Sequence, residues 1–239
     1  MFSVFKRELR SLFCGYRAYA FTAIFAIGYL TVRMIYNYML LYDNIYGFMN
    51  QEYILTMLPV SFALATPVIT FSMYDNERKK DVFSFLRSLP LTATGVFFGK
   101  YLSRAALFGM VYLALTVIDV VLGFYSGAPI GTILYSALSY ILICNCVLAV
   151  NVFLASVIKN KYVSLGVGYG VTAALTALTV TCYSMPRILI KIVTPISLFG
   201  TYTSSVFGMV DISYLFLWLS VGALFICLSY VFFKKEIKL

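Results

Sequence analysis

Six long apolar runs, at about 18–41, 52–74, 96–124, 131–157, 162–183 and 212–233, dominate this chain, and its polar residues collect in the short stretches between them. Each run is long enough for a helix to cross a bilayer, which takes roughly 20 mostly apolar residues at about 1.5 Å of rise each. None shows the alternation of a transmembrane barrel strand. The pattern predicts an all-α membrane protein with six transmembrane helices and a single domain over residues 1–239. The first run is too long for a cleaved signal peptide, and no small-residue cleavage site follows it, so it is expected to stay in the mature protein.

Three shorter patterns stand apart from the spans. Phe2, Phe5, Leu9, Leu12 and Tyr16 recur at helical spacing among Lys6, Arg7, Glu8, Arg10 and Arg17. This predicts an amphipathic helix over residues 1–17 lying flat on the cytoplasmic leaflet. Residues 76–90 open with five consecutive charges, Glu77-Arg78-Lys79-Lys80-Asp81, after which Val82, Phe85, Leu86 and Leu89 fall at i, i+3, i+4 and i+7. Glu77 and Asp81 suit the start of a helix and Pro90 its end. The apolar stripe exceeds what a free loop exposes, so the segment is expected to dock on a soluble partner; the plainer alternative is a loop obeying the positive-inside rule. In residues 184–211, Pro186 and Pro195 interrupt apolar pieces too short to cross and too apolar for a plain loop, which predicts short interfacial or re-entrant helices on the outer side. The tight turn Lys159-Asn160-Lys161 makes the fourth and fifth spans an antiparallel hairpin.

Composition agrees with a membrane protein: 62% of residues are hydrophobic and 11% charged, against about 25% charged in soluble domains. With an even number of spans and both termini cytoplasmic, every Lys and Arg except Arg33, Arg187 and Lys191 falls on the cytoplasmic side. The net charge of +9 is then explained by helix ends facing anionic lipid headgroups, and no nucleic-acid partner is needed. The five cysteines sit in or beside apolar segments without a CxxC pair and read as buried hydrophobes, with no disulfide or metal implied. The chain has no histidine, which removes His-Glu-x-x-His zinc sites, Ser-His dyads and histidine proton relays.

Few residues inside the spans suggest chemistry. Val-Gly-Tyr-Gly at 167–170 matches the tail of a potassium filter, but Gly166 stands where that filter has threonine and the run directly follows a cytoplasmic turn. The same stretch gives Gly166-x-x-x-Gly170, a small-residue face for close helix packing, and that reading is preferred. Arg33 and Asp119 are the ionisable residues best placed within the hydrocarbon, toward its outer half. They either pair or snorkel to the outer interface, and snorkelling is the expectation. Asn145, Asn151, Thr172, Thr176 and Thr179 are expected to bond helix to helix.

The order of interfacial helix, two spans and a loop with Glu77, Arg78, Lys79, Phe85, Leu86, Ser88 and Pro90, leading to Gly99-Lys100 at the next span, resembles the type-2 ABC exporter permeases. The opening Phe5-Lys6-Arg7-Glu8-Leu9 belongs to the same likeness. The chain is most similar in layout to the compact six-span permeases of the gliding-motility group. It departs at Asn76, which stands where the family often has a first acid, and at Asp81-Val82, which replaces Gly-Thr. The resemblance implies a non-catalytic transmembrane subunit of an alternating-access exporter in the plasma membrane, paired with a second permease copy or a related chain. Cytoplasmic ABC ATPase subunits would hold ATP and Mg, since this chain carries no GxxxxGK[ST] phosphate loop. It makes residues 76–90 a coupling helix, with Glu77, Arg78, Lys79, Val82, Phe85, Leu86 and Leu89 facing the ATPase. It also places Thr66, Pro67, Thr70, Gly166, Gly170 and Thr176 on the second and fifth spans, which line the path and the dimer contact. The alternative is a stand-alone secondary transporter or channel with Asp119 as its coupling group. An intramembrane enzyme is disfavoured by the missing histidine.

Overall fold

The computed structural model describes residues 2–41, 58–71, 73–74, 93–126, 130–184, 197–199, 201–202 and 212–238. Regular structure among the described residues is helical throughout, in seven main helices: α1 (Phe2–Cys14), α2 (Tyr16–Leu41), α3 (Leu58–Thr70), α4 (Ala93–Ser126), α5 (Ile130–Val157), α6 (Lys161–Ser184) and α7 (Ile212–Lys238). Five of them, α2 and α4 to α7, are long and apolar enough to cross a membrane, and the chain is a multi-pass membrane protein. The run expected at 52–74 is described only from Leu58, as the 13-residue α3. The expected coupling helix at 76–90 and most of the 184–211 segment lie outside the described residues.

From α2 to α7 successive helices run antiparallel, so the bundle has two ends. One carries α1, the exit of α3, the start of α4, the Lys159–Lys161 turn and the C-terminal part of α7 with Lys234 and Lys235; it is the basic end. The other holds the start of α3, the end of α4, and residues 197–199 and 201–202. α5 is the central post. Of its membrane-length window 67% is buried, against 17% for α7, and it packs on α3, α4, α6 and α7. The longest helix contacts join α5 with α7, α2 with α3, and α1 with α4.

Aromatic rings fill the space where α2, α3, α4 and α5 converge. Phe62 lies 4.4 Å from Phe108 and 5.7 Å from Phe25, while Tyr112 stacks on Tyr140 at 4.6 Å. Such offset and edge-on pairs add about 0.5–1.5 kcal/mol each beyond buried area. Tyr202, outside the main helices, brings its ring 5.9 Å from Tyr140. Its neighbours are anchored by polar contacts, Thr179 Oγ1 with Ser197 Oγ at 3.1 Å and Trp218 Nε1 donating to Thr201 Oγ1 at 3.2 Å. Residues 197–199 and 201–202 are thus buried between α5, α6 and α7.

One sequence expectation changes here. The intramembrane amides and hydroxyls mostly bond within their own helices: Asn145 to Ile141 O, Asn151 to Val147 O, Thr172 to Tyr169 O and Thr176 to Ala173 O. Among the described residues, Thr179 alone of the five also reaches a neighbouring segment. A carbonyl one turn back keeps a spare lone pair and is the nearest acceptor in apolar surroundings. The protein-facing side of α1 is Val4, Glu8 and Leu12, distinct from the stripe expected to face the leaflet. Of the expected stripe only Leu12 is buried, and Phe2 and Tyr16 are largely exposed.

Candidate functional site

The densest polar arrangement lies at the basic end, where α1, α3 and α4 meet. Lys100 and Arg104 are one turn apart on α4, so both point the same way. Both are buried, at 4% exposure each. Lys100 Nζ donates to Met73 O at 2.8 Å, and Arg104 Nε donates to Ile69 O at 3.4 Å. Arg104 Nη1 also donates to Lys100 O at 2.9 Å and to Ser103 Oγ at 3.2 Å. The two cations therefore cap the exit of α3, where unpaired carbonyls and the negative end of the helix dipole favour positive charge.

Glu8 of α1 closes the group from the other side. Its carboxylate lies 3.7 Å from Lys100 Nζ and 3.7 Å from Arg104 Nη1, with Arg7 Nη2 at 3.6 Å. Gly99 brings α1 close enough for this. A Cβ at Gly99 would fall 3.0 Å from Val4 Cγ1 and 3.3 Å from the Phe5 nitrogen, so any larger residue would push α1 away from α4. Beneath the junction Tyr74 packs on Phe233 at 5.1 Å, and Phe97 on Phe233 at 5.8 Å, tying in α7. The opening Phe5–Leu9 and the Gly99-Lys100 pair, distant in sequence, are one structural unit. The link through Glu8 and Arg104 escaped sequence reading, although the i, i+4 spacings of Val4-Glu8-Leu12 and Lys100-Arg104 both carried it.

A second polar group sits in the opposite half of the bundle. Arg33 Nε lies 3.0 Å from Asp119 Oδ1, and the Tyr29 hydroxyl donates to the other carboxylate oxygen. Asp119 is 8% exposed and Arg33 28%. The two charges pair, which corrects the expectation that they snorkel separately. α2 and α4 lie side by side here, and Asp119 gives Arg33 a counter-charge at less cost than bending toward headgroups, although the buried Nε makes no directed hydrogen bond.

The six residues expected on the path do not share one surface. Thr66, Pro67 and Thr70 are buried within the chain. Thr66 Oγ1 donates to Phe62 O at 2.6 Å and Thr70 Oγ1 to Thr66 O at 3.1 Å. Gly166 and Gly170 face outward, with nothing within 4 Å of an added Cβ, and Thr176 is half-buried. The glycine that brings helices together is Gly168, where a Cβ would meet Asn151 Oδ1 at 3.0 Å and Pro67 Cβ at 3.3 Å. α6 thus rests on the proline of α3 and on α5. The signal for this face was the small and polar series Ser164, Gly168, Thr172 and Thr179, all buried. Glu77, Arg78, Lys79, Val82, Phe85, Leu86 and Leu89 lie outside the described residues. Among the described residues no group of three or more His, Cys, Asp or Glu side chains could hold a metal ion.

Residues 9–174 match the family model described as ABC-2 family transporter protein. No curated protein matches the chain. The matched region runs from α1 into α6 and so contains both polar groups, apart from Arg7 and Glu8, which immediately precede it.

Proposed function

Because this chain belongs to the ABC-2 family of transporter proteins, we propose that it is the permease subunit of an ATP-driven exporter. In this proposal six spans cross the plasma membrane, α3 forming the inner part of the second, and both termini face the cytoplasm. Two permease domains pair around a central path, and cytoplasmic ABC ATPase subunits bind ATP and Mg. The 76–90 segment is the coupling helix, its Val82, Phe85, Leu86 and Leu89 stripe seated in a groove of the ATPase. ATP-driven closure of the ATPases moves it as a rigid body against the bundle. The outward small-residue face of α6, with Gly166 and Gly170, contacts the second permease.

The observation that carries the proposal is the junction flanking that segment. The helix that leads into it ends on Lys100 and Arg104, and the helix that leads out of it bears them. A segment mounted this way delivers force to α1, α3 and α4 at once. The stand-alone alternative placed its coupling on Asp119, which is paired with Arg33.

The test is a mild-detergent pull-down of the tagged chain with mass spectrometry of the co-purifying subunits. The expected result is a near-stoichiometric soluble subunit with a phosphate loop. Recovery of this chain alone, active in liposomes without ATP, would overturn the proposal. Replacing Phe85 or Leu86 with Asp buries a charge at an apolar contact, and is expected to release the ATPase or to uncouple its hydrolysis.

A further inference from the structure

Glu8 is poorly placed to be an ordinary stabilising ion pair. Its carboxylate is 3.7 Å from each of two buried cations, beyond the distance of about 2.7–2.9 Å for a directed charge-assisted hydrogen bond. Lys100 and Arg104 already donate to the carbonyls of Met73 and Ile69. The carboxylate is therefore held by charge rather than by direction. Such a contact tolerates relative sliding of α1 and α4 and resists only their separation. The lack of a side chain at Gly99, over which Val4 rides at 3.0 Å from a would-be Cβ, gives the same pair of helices a smooth bearing surface.

We propose that Glu8 is a positioning residue that tethers α1 to the start of α4, so that displacement of α4 by the ATPase is carried into α1 and through Gly15 into α2. This rests on the permease reading above and assigns the N-terminal helix a part in force transmission. Lys100 and Arg104 on one helix and Glu8 on another give the tether its sign: the cations stay attached to the α3 carbonyls and draw the acid after them. α1 has no comparable anchor elsewhere on its length among the described residues, since Val4 and Leu12 are its buried apolar contacts.

The experiment compares the purified permease–ATPase complex in nanodiscs, apo and trapped with ATP, Mg and vanadate, by amide hydrogen exchange. In the unaltered complex, trapping changes exchange at the start of α4 and in α1 together. In Glu8→Gln the start of α4 still responds, while the response of α1 falls at least fivefold; Glu8→Asp, which keeps the charge, restores it. An α1 response in Glu8→Gln equal to the unaltered complex would overturn the tether. So would α1 exchanging freely in both states, which would make Glu8 a mere structural fastener. If the start of α4 in the unaltered complex ignores trapping, the permease reading itself fails, and that outcome is visible before any variant is made.

Discussion

At the basic end two cations share one carboxylate at 3.7 Å each, and their donors go first to the carbonyls that end α3. In the opposite half one cation and one carboxylate meet at 3.0 Å, with a tyrosine hydroxyl completing the group. The residue types are nearly the same, yet one arrangement is an open junction among three helices and the other a closed clamp between two. What separates them is the backbone. A helix ending beside the cations draws them away from the acid, whereas α2 and α4 pass each other uninterrupted and, among the described residues, offer Arg33 Asp119 and the Tyr29 ring face. The closed group holds the bundle together; the open one is suited to movement.

Breaking the clamp gives the largest expected effect. Asp119→Ala leaves Arg33 within the bundle without its counter-charge, and removal of one partner of a buried pair costs about 3–5 kcal/mol. The unfolding free energy in mixed micelles should fall by that amount. The double variant Arg33→Met with Asp119→Leu should recover most of it, because an apolar pair of similar volume restores packing without a stranded charge. A single-variant loss no greater than that of a surface pair would dissolve the distinction between the two groups.

Lys100→Met attacks the other side of the comparison. It leaves Met73 O without its donor while Glu8 keeps Arg104, so the loss includes that of a hydrogen bond from a charged group, about 1.5–3 kcal/mol. The same unfolding assay checks it. A cost above that of Asp119→Ala would mean the junction, and not the clamp, is the rigid end.

Between the two groups lies the Pro67–Gly168–Asn151 contact. Gly168→Val inserts atoms where a Cβ already meets Asn151 Oδ1 at 3.0 Å, an overpacking of about 1–3 kcal/mol. Ala at Gly166 or Gly170 is expected to stabilise the isolated chain slightly, since nothing lies within 4 Å and Ala is the better helix former by about 0.5–1 kcal/mol. If those alanines instead weaken pairing of two permeases, measured by crosslinking in membranes, the outward face of α6 has its partner.

Much of this architecture was legible because a bilayer imposes length and hydrophobicity on each span. The apolar runs located α2 and α4 to α7, and the 3.6-residue period located α1. Pairing was harder to see. Arg33 and Asp119 are separated by most of three helices in sequence, and only their packing shows that a counter-charge lies nearer than the headgroups. Gly166 and Gly170 gave the familiar spacing, yet Gly168 makes the contact. Side-chain size alone does not say which stripe of a helix faces its neighbours; here the half-polar stripe of Ser164, Thr172 and Thr179 did. The acid in α1 seemed part of a basic flank, because its two partners lie about 90 residues further along the chain.

The smallest expected effect on stability is the most telling for the comparison. Glu8→Gln removes a charge that no directed hydrogen bond holds, at a side chain 16% exposed. Its cost should resemble that of an exposed ion pair, about 0.2–1 kcal/mol. Lys100 and Arg104 keep their carbonyl partners at the end of α3, so neither is stranded as Arg33 is by Asp119→Ala. Unfolding in mixed micelles should therefore barely distinguish Glu8→Gln from the unaltered chain. A loss of several kcal/mol would mean that the carboxylate neutralises the two buried cations in the manner of Asp119, that the junction is a second clamp, and that α1 is fixed in place with no freedom to follow α4.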